Sequence, residues 1–274
     1  MSKSRDVRAL LLAAGLGTRL KPLTDAWPKC LMPIGNRPLL EYWLQSLQLA
    51  GIQEVCVNLH HHADIVSSFL DRPAFQSWVT AVQEPTLLGT AATLRANAEF
   101  LQDATVLLVH ADNWSNCDLK AFIAFHQHHR KTHCPISMMT FNTDTPQSCG
   151  IVVTDSDDVV VEFHEKVENP PGNRANGAVY LLEPEVLHWL QQNPSITDFS
   201  TEVLPRYIGR FACWHNPGFH RDIGTLRALQ QAQLDLKPAL LWPKSDAWQQ
   251  AFFSHPIQNA VLPEPIRKIA GAAS

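Results

Sequence analysis

The strongest constraint on the fold is a continuous apolar segment, ATVLLVHAD at residues 104–112, which ends in an aspartate. An uninterrupted apolar run of this length is typical of a strand that is buried on both faces of a sheet. The segment VRALLLAA at residues 7–14 has the same character. Parallel sheets contain such strands because their crossover helices cover both faces. The chain is therefore expected to build an α/β fold around a parallel sheet.

Helical and strand patterns alternate along the first half. Residues 38–50 place Leu40, Trp43 and Leu47 on one helical face. The other predicted elements of this half are strands 54–59 and 78–82 and helices 63–70 and 89–100. The second half is antiparallel in character, with predicted strands 135–141, 150–154, 159–166, 175–182, 211–214 and 219–222 and predicted helices 185–191 and 198–208. We predict a three-layer, Rossmann-like open mixed sheet that is largely parallel in its first half.

Charge and hydropathy argue against several classes of protein. The 274-residue chain is 45% hydrophobic, has 26 acidic and 22 basic residues and contains no run rich in lysine or arginine, so no nucleic-acid partner is expected. No stretch approaches about 18 uninterrupted apolar residues, so no membrane partner is expected either. The N-terminal apolar run continues into a glycine turn instead of a cleavage site, and the cysteines lack C-x-x-C spacing. Both features predict a cytoplasmic protein with reduced thiols.

The first strand runs into a glycine turn, GLGTR at residues 15–19, whose amides could approach an anion closely. It is not a Walker A loop, because Gly-Thr-Arg-Leu stands where Gly-Lys-Ser/Thr is required. It is not a dinucleotide fingerprint, because Leu20 replaces the third glycine, and this argues against an NAD-linked dehydrogenase. What remains is a turn that presents Arg19, a planar cation suited to phosphate. An ordinary strand-to-helix turn is the plainer interpretation of so short a pattern.

Six segments in order resemble the sugar-1-phosphate nucleotidylyltransferases, and together they span roughly residues 7–235. The first segment combines the glycine turn with Pro28-Lys29, Pro33 and Pro38. The others are LLGTA (87–91), HADN (110–113), FHEKV (163–167), ANGAVY (175–180) and FHRDIGT (219–225). QEPTLLGTA, ANGAVYLL and DIGT are most similar to the mannose-1-phosphate and heptose-1-phosphate guanylyltransferase branch.

The resemblance implies a fold of the nucleotide-diphospho-sugar transferase type. It implies transfer of a nucleoside monophosphate from an NTP, with GTP favoured, to a mannose- or heptose-like sugar 1-phosphate. It also implies Mg²⁺ held by Asp112 and Asp222, and a catalytic set of Arg19, Lys29 and Lys166. The other implied contacts are Leu12, Ala13, Ala14, Gly15, Gly17, Thr18, Gln83, Gly89 and Thr90 for the nucleotide, and Asn113, Gly150, Glu165 and Asn176 for the sugar phosphate.

The chemistry of such a transfer fits these residue types. A sugar phosphate oxygen attacks the α-phosphorus and expels pyrophosphate, so catalysis consists mainly of positioning and neutralising charge. Cations are therefore needed to neutralise the nucleoside triphosphate and the sugar phosphate. Magnesium prefers one or two carboxylates as ligands, together with phosphate oxygens and waters. Plainer interpretations stay open. Asp112 could cap a helix, Lys166 could be a solvated lysine, and Asp222 could form a surface ion pair with Arg221.

Two departures from the family pattern leave the base open. Ala111 stands where glycine often precedes the metal carboxylate, and Ala14 stands where the first loop often has a second glycine. Because Ala13-Ala14 is common in uridylyltransferases, the alternative is a uridylyltransferase acting on an amino-sugar 1-phosphate such as N-acetylmuramate 1-phosphate. An alternative of another class is a catalytically silent, sugar-nucleotide-binding regulatory subunit, which should have lost one of the cations or carboxylates.

Two features lie outside this set of residues. The run from His60 to His62 and the trio His126, His129 and His133 are expected to be solvated or half-buried, since no cysteine or carboxylate completes a zinc set.

Residues 1–235 are expected to form the catalytic domain. Residues 236–274, rich in Trp, Phe and Pro, are expected to form an extension packed on it. The sharper alternatives for this extension are a contact in a homo-oligomer or a lid over the acceptor site.

Overall fold

The computed structural model describes residues 5–239, 241–242 and 245–263. Its strands are β1 Val7–Leu12, β2 Pro33–Ile34, β3 Arg37–Pro38, β4 Val55–Leu59, β5 Val79–Gln83, β6 Thr105–His110, β7 Asn113–Ser115, β8 Ile136–Asn142, β9 Gly150–Thr154, β10 Val160–Glu165, β11 Arg174–Leu182, β12 Phe211–His215 and β13 His220–Asp222. Its α-helices are α1 Leu23–Ala26, α2 Leu39–Leu49, α3 Ala63–Leu70, α4 Thr90–Ala96, α5 Ala98–Leu101, α6 Leu119–His128, α7 Pro184–Gln192, α8 Leu226–Ala232, α9 Ala247–Phe253 and α10 Ile257–Ala260.

A mixed sheet runs through the molecule in the order β5-β4-β1-β6-β11-β8-β12. Strands β1, β4, β5 and β6 are parallel to one another, whereas β11 is antiparallel to both β6 and β8. The antiparallel hairpin of β9 and β10 joins the start of β11, where Ala175 pairs with Ile151. The predicted α/β fold, an open mixed sheet that is largely parallel in its first half, is confirmed. The second half is not wholly antiparallel as expected, because β12 runs parallel to β8.

Alternate side chains of the central strands build two cores, one on each face of the sheet. In β1, Ala9 and Leu11 belong to the first core, which is covered by α2, α3 and α6. Leu10 belongs to the second core, on the opposite face, which is covered by α4, α5 and α7. All three side chains are fully buried. Helices on both faces therefore account for the continuous apolar runs, because a strand covered on both sides has no solvent face for polar residues.

The carboxyl ends of the parallel strands meet at one edge, where open α/β sheets bind their ligands. Leu12 lies opposite His110 at this edge. Strand β1 ends at Leu12 and not at residue 14 as predicted, because the backbone N–H of Ala13 bonds to a side chain, Asn58 Oδ1, at 2.7 Å. Ala13 and Ala14 therefore belong to the loop that follows the strand.

Two predicted helices are interrupted. The helix predicted at 89–100 breaks at Asn97, whose side chain donates to Thr93 O at 2.9 Å, and it forms α4 and α5 instead. The segment predicted as a helix at 198–208 is a π turn, Phe199–Val203, followed by a 3₁₀ turn, Leu204–Tyr207. Pro205 explains the break, because its nitrogen carries no hydrogen for a helical bond. The other predicted elements lie within two residues of their predicted bounds.

Residues 245–263 pack against the first core. The buried Phe252 ring lies 5.7 Å from the ring of Trp27. Arg72 joins this segment to the sheet domain, since it pairs with the fully buried Glu41 at 2.9 Å and with Asp246 at 2.7 Å. Breaking a buried network of this kind leaves an uncompensated charge, which is strongly destabilising. In the described part of the chain, no helix has the length and apolar character needed to span a membrane.

Candidate active site

A glycine turn opens the site directly after β1. Gly17 has a φ of +60°, and a Cβ atom there would lie 2.7 Å from Thr24 Cγ2, so only glycine fits without strain. Thr24 donates from its hydroxyl to Gly17 O at 2.9 Å. The Thr24 carbonyl is in turn bonded by the rings of His61 and His62, at 2.7 and 3.1 Å. Gly15, by contrast, has no neighbouring atom within 4 Å of the position a Cβ would take. The backbone conformation of the turn therefore requires glycine at residue 17, whereas the space beside Gly15 is unoccupied.

Lys29 lies between the two predicted metal carboxylates. Its Nζ donates to Asp112 Oδ2 at 2.7 Å and to Asp222 Oδ1 at 2.8 Å, and its side chain is only 7% exposed. The carboxylates meet because β13 pairs with β7, which places Asp222 opposite Asn113. Burial tends to lower the pKa of Lys29, but the two carboxylates outweigh it and raise the pKa above its ordinary value. Lys29 is therefore a permanent cation at neutral pH.

Arg19 completes this charge cluster. Its Nη2 donates to Asp222 Oδ2 at 2.7 Å. Gly224 leaves room for this contact, because a Cβ atom at residue 224 would lie 2.5 Å from Arg19 Nη2. The backbone N–H of Gly224 also donates to Asp222 Oδ1, at 2.8 Å. Burial opposes ionisation of Asp222, but Lys29 and Arg19 prevail and hold its pKa below the usual range. The cluster therefore joins two cations to two carboxylates.

The plainer interpretations of the two aspartates are not observed. Asp112 caps no helix, because strand β7 begins directly after it, at Asn113. Arg221 forms no ion pair with Asp222; it lies 3.5 Å from Asp235. Asn113 itself is buried, and its carbonyl accepts a hydrogen bond from Trp43 Nε1 at 2.8 Å.

A cavity of about 170 Å³ lies beside the charge cluster, at the carboxyl edge of the sheet. The predicted residues that line it are Leu12, Ala13, Ala14, Gly15, Lys29, Gly89, Thr90 and Asp112. Gly17, Thr18 and Gln83 lie outside the lining. Gly89 has a φ of +92°, and a Cβ there would lie 2.6 Å from Thr197 O, so the entry to α4 also requires glycine.

Sequence reasoning missed Cys30, Asn58, Glu84, Leu87, Thr93 and His110 in this lining. Glu84 is buried at 4% exposure and accepts from Asn58 Nδ2 at 3.0 Å and Thr93 Oγ1 at 2.5 Å. No lysine or arginine among the described residues pairs with it. An acidic residue between a strand and Pro85 was the signal that could have found it. The pattern alone could not tell which of Gln83 and Glu84 faces inward.

Ala111, the departure from the family glycine, does not narrow this cavity. Its side chain is fully buried in the first core, and its N–H donates to Leu12 O at 3.1 Å. Ala111 is not among the lining residues. The methyl group thus packs away from the space beside Asp112.

Three of the four predicted sugar-phosphate residues lie on β9, β10 and β11, whereas the fourth, Asn113, lies on β7 beside the charge cluster. Gly150 lies opposite Glu165, and a Cβ at Gly150 would lie 2.5 Å from Glu165 Oε2. Lys166 follows with a φ of +51°, its side chain 65% exposed and its Nζ 3.3 Å from Glu165 Oε1. On β11, Asn176 Nδ2 donates to the hydroxyl of the buried Tyr180 at 2.7 Å. The solvated-lysine interpretation of Lys166 stays open on this geometry.

The histidines do not form a metal site. In the described residues, no group of three or more His, Cys, Asp or Glu side chains is arranged to hold a metal ion. His129 and His133 are exposed, as expected. His126 is 1% exposed, so the expectation that it is solvated or half-buried is wrong. Its ring bonds to Ser137 Oγ at 2.7 Å and Glu183 Oε1 at 3.1 Å, and these two partners replace water.

Comparison with known families agrees with this geometry. The model of the family described as nucleotidyl transferase matches residues 8–238, which include the glycine turn and both carboxylates. The chain belongs to the nucleotidyl transferase family. Among its curated relatives, the mannose-1-phosphate guanylyltransferase 1 of Arabidopsis thaliana is 31% identical over 229 residues, covering 81% of this chain and 62% of that protein. The Mycobacterium tuberculosis mannose-1-phosphate guanylyltransferase is 29% identical, covering 85% and 65%.

The chain spans less than two thirds of the length of the relatives named above. Solved structures of similar fold include a Bacillus anthracis protein assigned as a glucose-1-phosphate thymidylyltransferase, with a TM-score of 0.75 and 22% identity, covering 85% of this chain and 98% of that chain. HddC from Yersinia pseudotuberculosis complexed with GMP-PN has a TM-score of 0.68 and 22% identity, covering 83% and 98%. At these identities the likeness establishes the fold alone.

Proposed function

We propose that this chain transfers the nucleoside monophosphate of GTP to a mannose- or heptose-like sugar 1-phosphate and releases pyrophosphate. The observation that carries the proposal is the position of Lys29, held between Asp112 and Asp222 beside the cavity at the carboxyl edge of the sheet. In this reaction a sugar phosphate oxygen forms a bond to the α-phosphorus, and the bond to the β-phosphate oxygen breaks. No general base is required, because the attacking phosphate is already ionised at neutral pH.

The cations of the site have distinct positions for this reaction. Arg19 and Gly15 present a guanidinium and an open backbone at the mouth of the glycine turn, where the triphosphate would lie. Lys29 lies deeper, against the cavity wall, where the α-phosphate would lie. Lys166 projects from the hairpin side, which we assign to the sugar phosphate. Preorganised cations of this kind stabilise charge that develops in the transition state.

Asp112 and Asp222 fit a bound Mg²⁺. Lys29 Nζ bonds one oxygen of each carboxylate and so holds the two groups close together, and hard oxygen ligands are those that Mg²⁺ prefers. When bound, Mg²⁺ would neutralise part of the triphosphate charge. The two carboxylates would hold the ion, and Lys29 and Arg19 would orient the carboxylates.

Glu84 supports guanine as the base. Asn58 and Thr93 both donate to Oε1 of this buried carboxylate, so that among the described residues Oε2 accepts only from the backbone N–H of Leu88, at 3.5 Å. The Watson–Crick edge of guanine offers two adjacent N–H donors, which match the two oxygens of a carboxylate, whereas uracil offers one. The guanylyltransferases among the relatives point the same way. The uridylyltransferase remains the alternative, and a silent regulatory subunit is disfavoured because both cations and both carboxylates are present.

A pyrophosphate-release screen tests this proposal. The four common NTPs are paired with mannose, heptose, glucose and N-acetylmuramate 1-phosphates in the presence of Mg²⁺. The proposal expects the highest turnover with GTP and a mannose- or heptose-like acceptor. Preference for UTP with N-acetylmuramate 1-phosphate would favour the alternative. Nucleotide-sugar binding without any turnover would favour the silent subunit and overturn the proposal.

The same proposal assigns catalysis to residues 1–235 and support to residues 236–274. The contacts of Arg72 with Asp246 and of Trp27 with Phe252 favour this division. A cytoplasmic location and a homo-oligomer also remain predictions.

A further inference from the structure

His110 carries a polar atom that the protein does not satisfy. Its Nε2 is buried and has no hydrogen-bond partner among the described residues. The large majority of buried side-chain polar atoms have a partner, so an exception calls for an explanation such as a ligand. His110 also lines the cavity beside the charge cluster. Three other polar side chains of the cavity lining have partners, because Asn58 and Thr93 both donate to Glu84.

The strand register fixes the direction in which His110 points. It is the last residue of β6, opposite Leu12 of β1, and it follows Val109, which pairs with Val179 of β11. Leu108, two residues earlier, packs in the second core together with Tyr180. Because side chains two residues apart along a strand share a face, His110 points to the side of the sheet that carries Tyr180.

That side of the sheet carries predicted sugar residues of the proposed site as well as the entry to α4. The Tyr180 hydroxyl accepts a hydrogen bond from Asn176 Nδ2 at 2.7 Å. Thr90, at the start of α4, donates to Asp198 at 3.5 Å. His110 therefore lines the cavity on the face of the sheet that also carries Tyr180 and the predicted sugar residue Asn176.

We infer that His110 is a specificity-determining residue whose Nε2 hydrogen-bonds a ring hydroxyl of the acceptor sugar. The inference rests on the proposed function, because it requires a sugar 1-phosphate as acceptor. An imidazole suits this role, since its nitrogen can donate to or accept from a hydroxyl, which does both. A site built to bond a hydroxyl discriminates strongly against an acceptor that lacks it, because the buried group is then left unpaired.

The test compares the wild type with His110→Leu, which puts an apolar side chain at the end of β6 and so removes the imidazole nitrogen. Both proteins are assayed with GTP and with mannose 1-phosphate and its 2-deoxy, 3-deoxy, 4-deoxy and 6-deoxy analogues. We expect the wild type to lose about tenfold in kcat/KM with one of the analogues. His110→Leu should no longer distinguish that analogue from mannose 1-phosphate. His110→Gln, which restores a polar group, should recover part of the discrimination, and His128→Leu, at the exposed end of α6, should behave as wild type.

Calorimetry separates this inference from the proposed function. Mannose 1-phosphate is titrated into each protein loaded with α,β-methylene-GTP, so binding is measured without turnover. Weaker sugar binding in His110→Leu, with unchanged affinity for the GTP analogue, supports the inference. Equal discrimination by both proteins, or a loss confined to the GTP analogue, overturns it while leaving the function in place. A wild type that neither binds nor uses any sugar 1-phosphate overturns both.

Discussion

The guanidinium of Arg19 bonds to the carboxylate of Asp222 at 2.7 Å, although 203 positions separate the two residues in the chain. The contact links the glycine turn after the first strand to the last strand of the described fold. It also sets the direction of Asp222, whose other oxygen accepts from Lys29 and from the backbone of Gly224. The glycine turn and the DIGT segment are thus joined in one charge cluster.

Arg19→Ala should lower kcat strongly. Arginine contributions to other phosphoryl transfers are on the order of 10³-fold or more, because the cation stabilises charge in the transition state. Arg19→Lys should rescue little, since an ammonium group cannot contact two oxygens with one planar fork. Lys21→Ala is the matched control, because Lys21 is exposed and its ion pair within the described residues is with Asp25. Steady-state kinetics check the prediction, and a fully active Arg19→Lys would contradict the bidentate role.

Asp112→Asn and Asp222→Asn should each nearly abolish turnover while the circular dichroism spectrum stays that of the folded protein. The reason is that the amide removes a charged ligand from the proposed Mg²⁺ site. EDTA should silence the wild type, and added Mg²⁺ should restore it. Asp118→Asn serves as control, because Asp118 only caps α6 and asparagine caps equally well. Metal-independent turnover would remove the two-carboxylate proposal.

Lys166→Ala should raise the KM for the sugar 1-phosphate by about tenfold to a hundredfold. This is the size expected for one lost hydrogen bond between a charged group and phosphate, roughly 1.5–3 kcal/mol. GTP affinity, measured by calorimetry without acceptor, should change little. Lys131→Ala tests for a general charge effect, since Lys131 is also exposed and is not among the residues that line the cavity. No kinetic effect at all would leave Lys166 as a solvated lysine.

Glu84→Gln should reduce kcat/KM for GTP by about tenfold or more and narrow the difference between GTP and UTP. The amide keeps an acceptor for Asn58 and Thr93 but loses the charge that two guanine donors would meet. Glu99→Gln, at an exposed position of α5, is the control. If the variant keeps the wild-type ratio of GTP to UTP, Glu84 does not select the base.

Lowering the pH should destabilise the fold through His220, a half-buried residue of β13 whose Nδ1 atom is buried. Burial lowers the pKa of His220 from 6.5 to about 4, so only the unfolded chain takes up this proton between those values. Stability is therefore lost as the pH falls from about 6.5 to about 4, by about 3 kcal/mol from this group. Urea unfolding measured across this range checks the slope. His220→Phe should flatten the slope, His133→Gln should not, and parallel slopes in all three proteins would contradict the assignment.

Several parts of the site follow from local sequence. The continuous apolar runs predicted the two central strands, because burial on both faces leaves no polar alternation. The glycine turn could be recognised because Gly17 needs a positive φ, which few residues adopt. The paired charges at Asp112, Asp222, Lys29 and Arg19 came from the family resemblance, and the structure brings them together.

The sequence by itself determined the α/β class and the strand order along the chain, because apolar periodicity is a local property of neighbouring residues. Only the tertiary structure decided which face each side chain presents at a strand end. It placed Glu84 inside the cavity and Gln83 outside, sent the Ala111 methyl group into the core, and left His110 Nε2 buried without a partner in the described part of the chain. These outcomes depend on pairing between strands that are distant in sequence, where a shift of one residue exchanges the two faces. The register of that pairing cannot be predicted from the pattern of neighbouring residues.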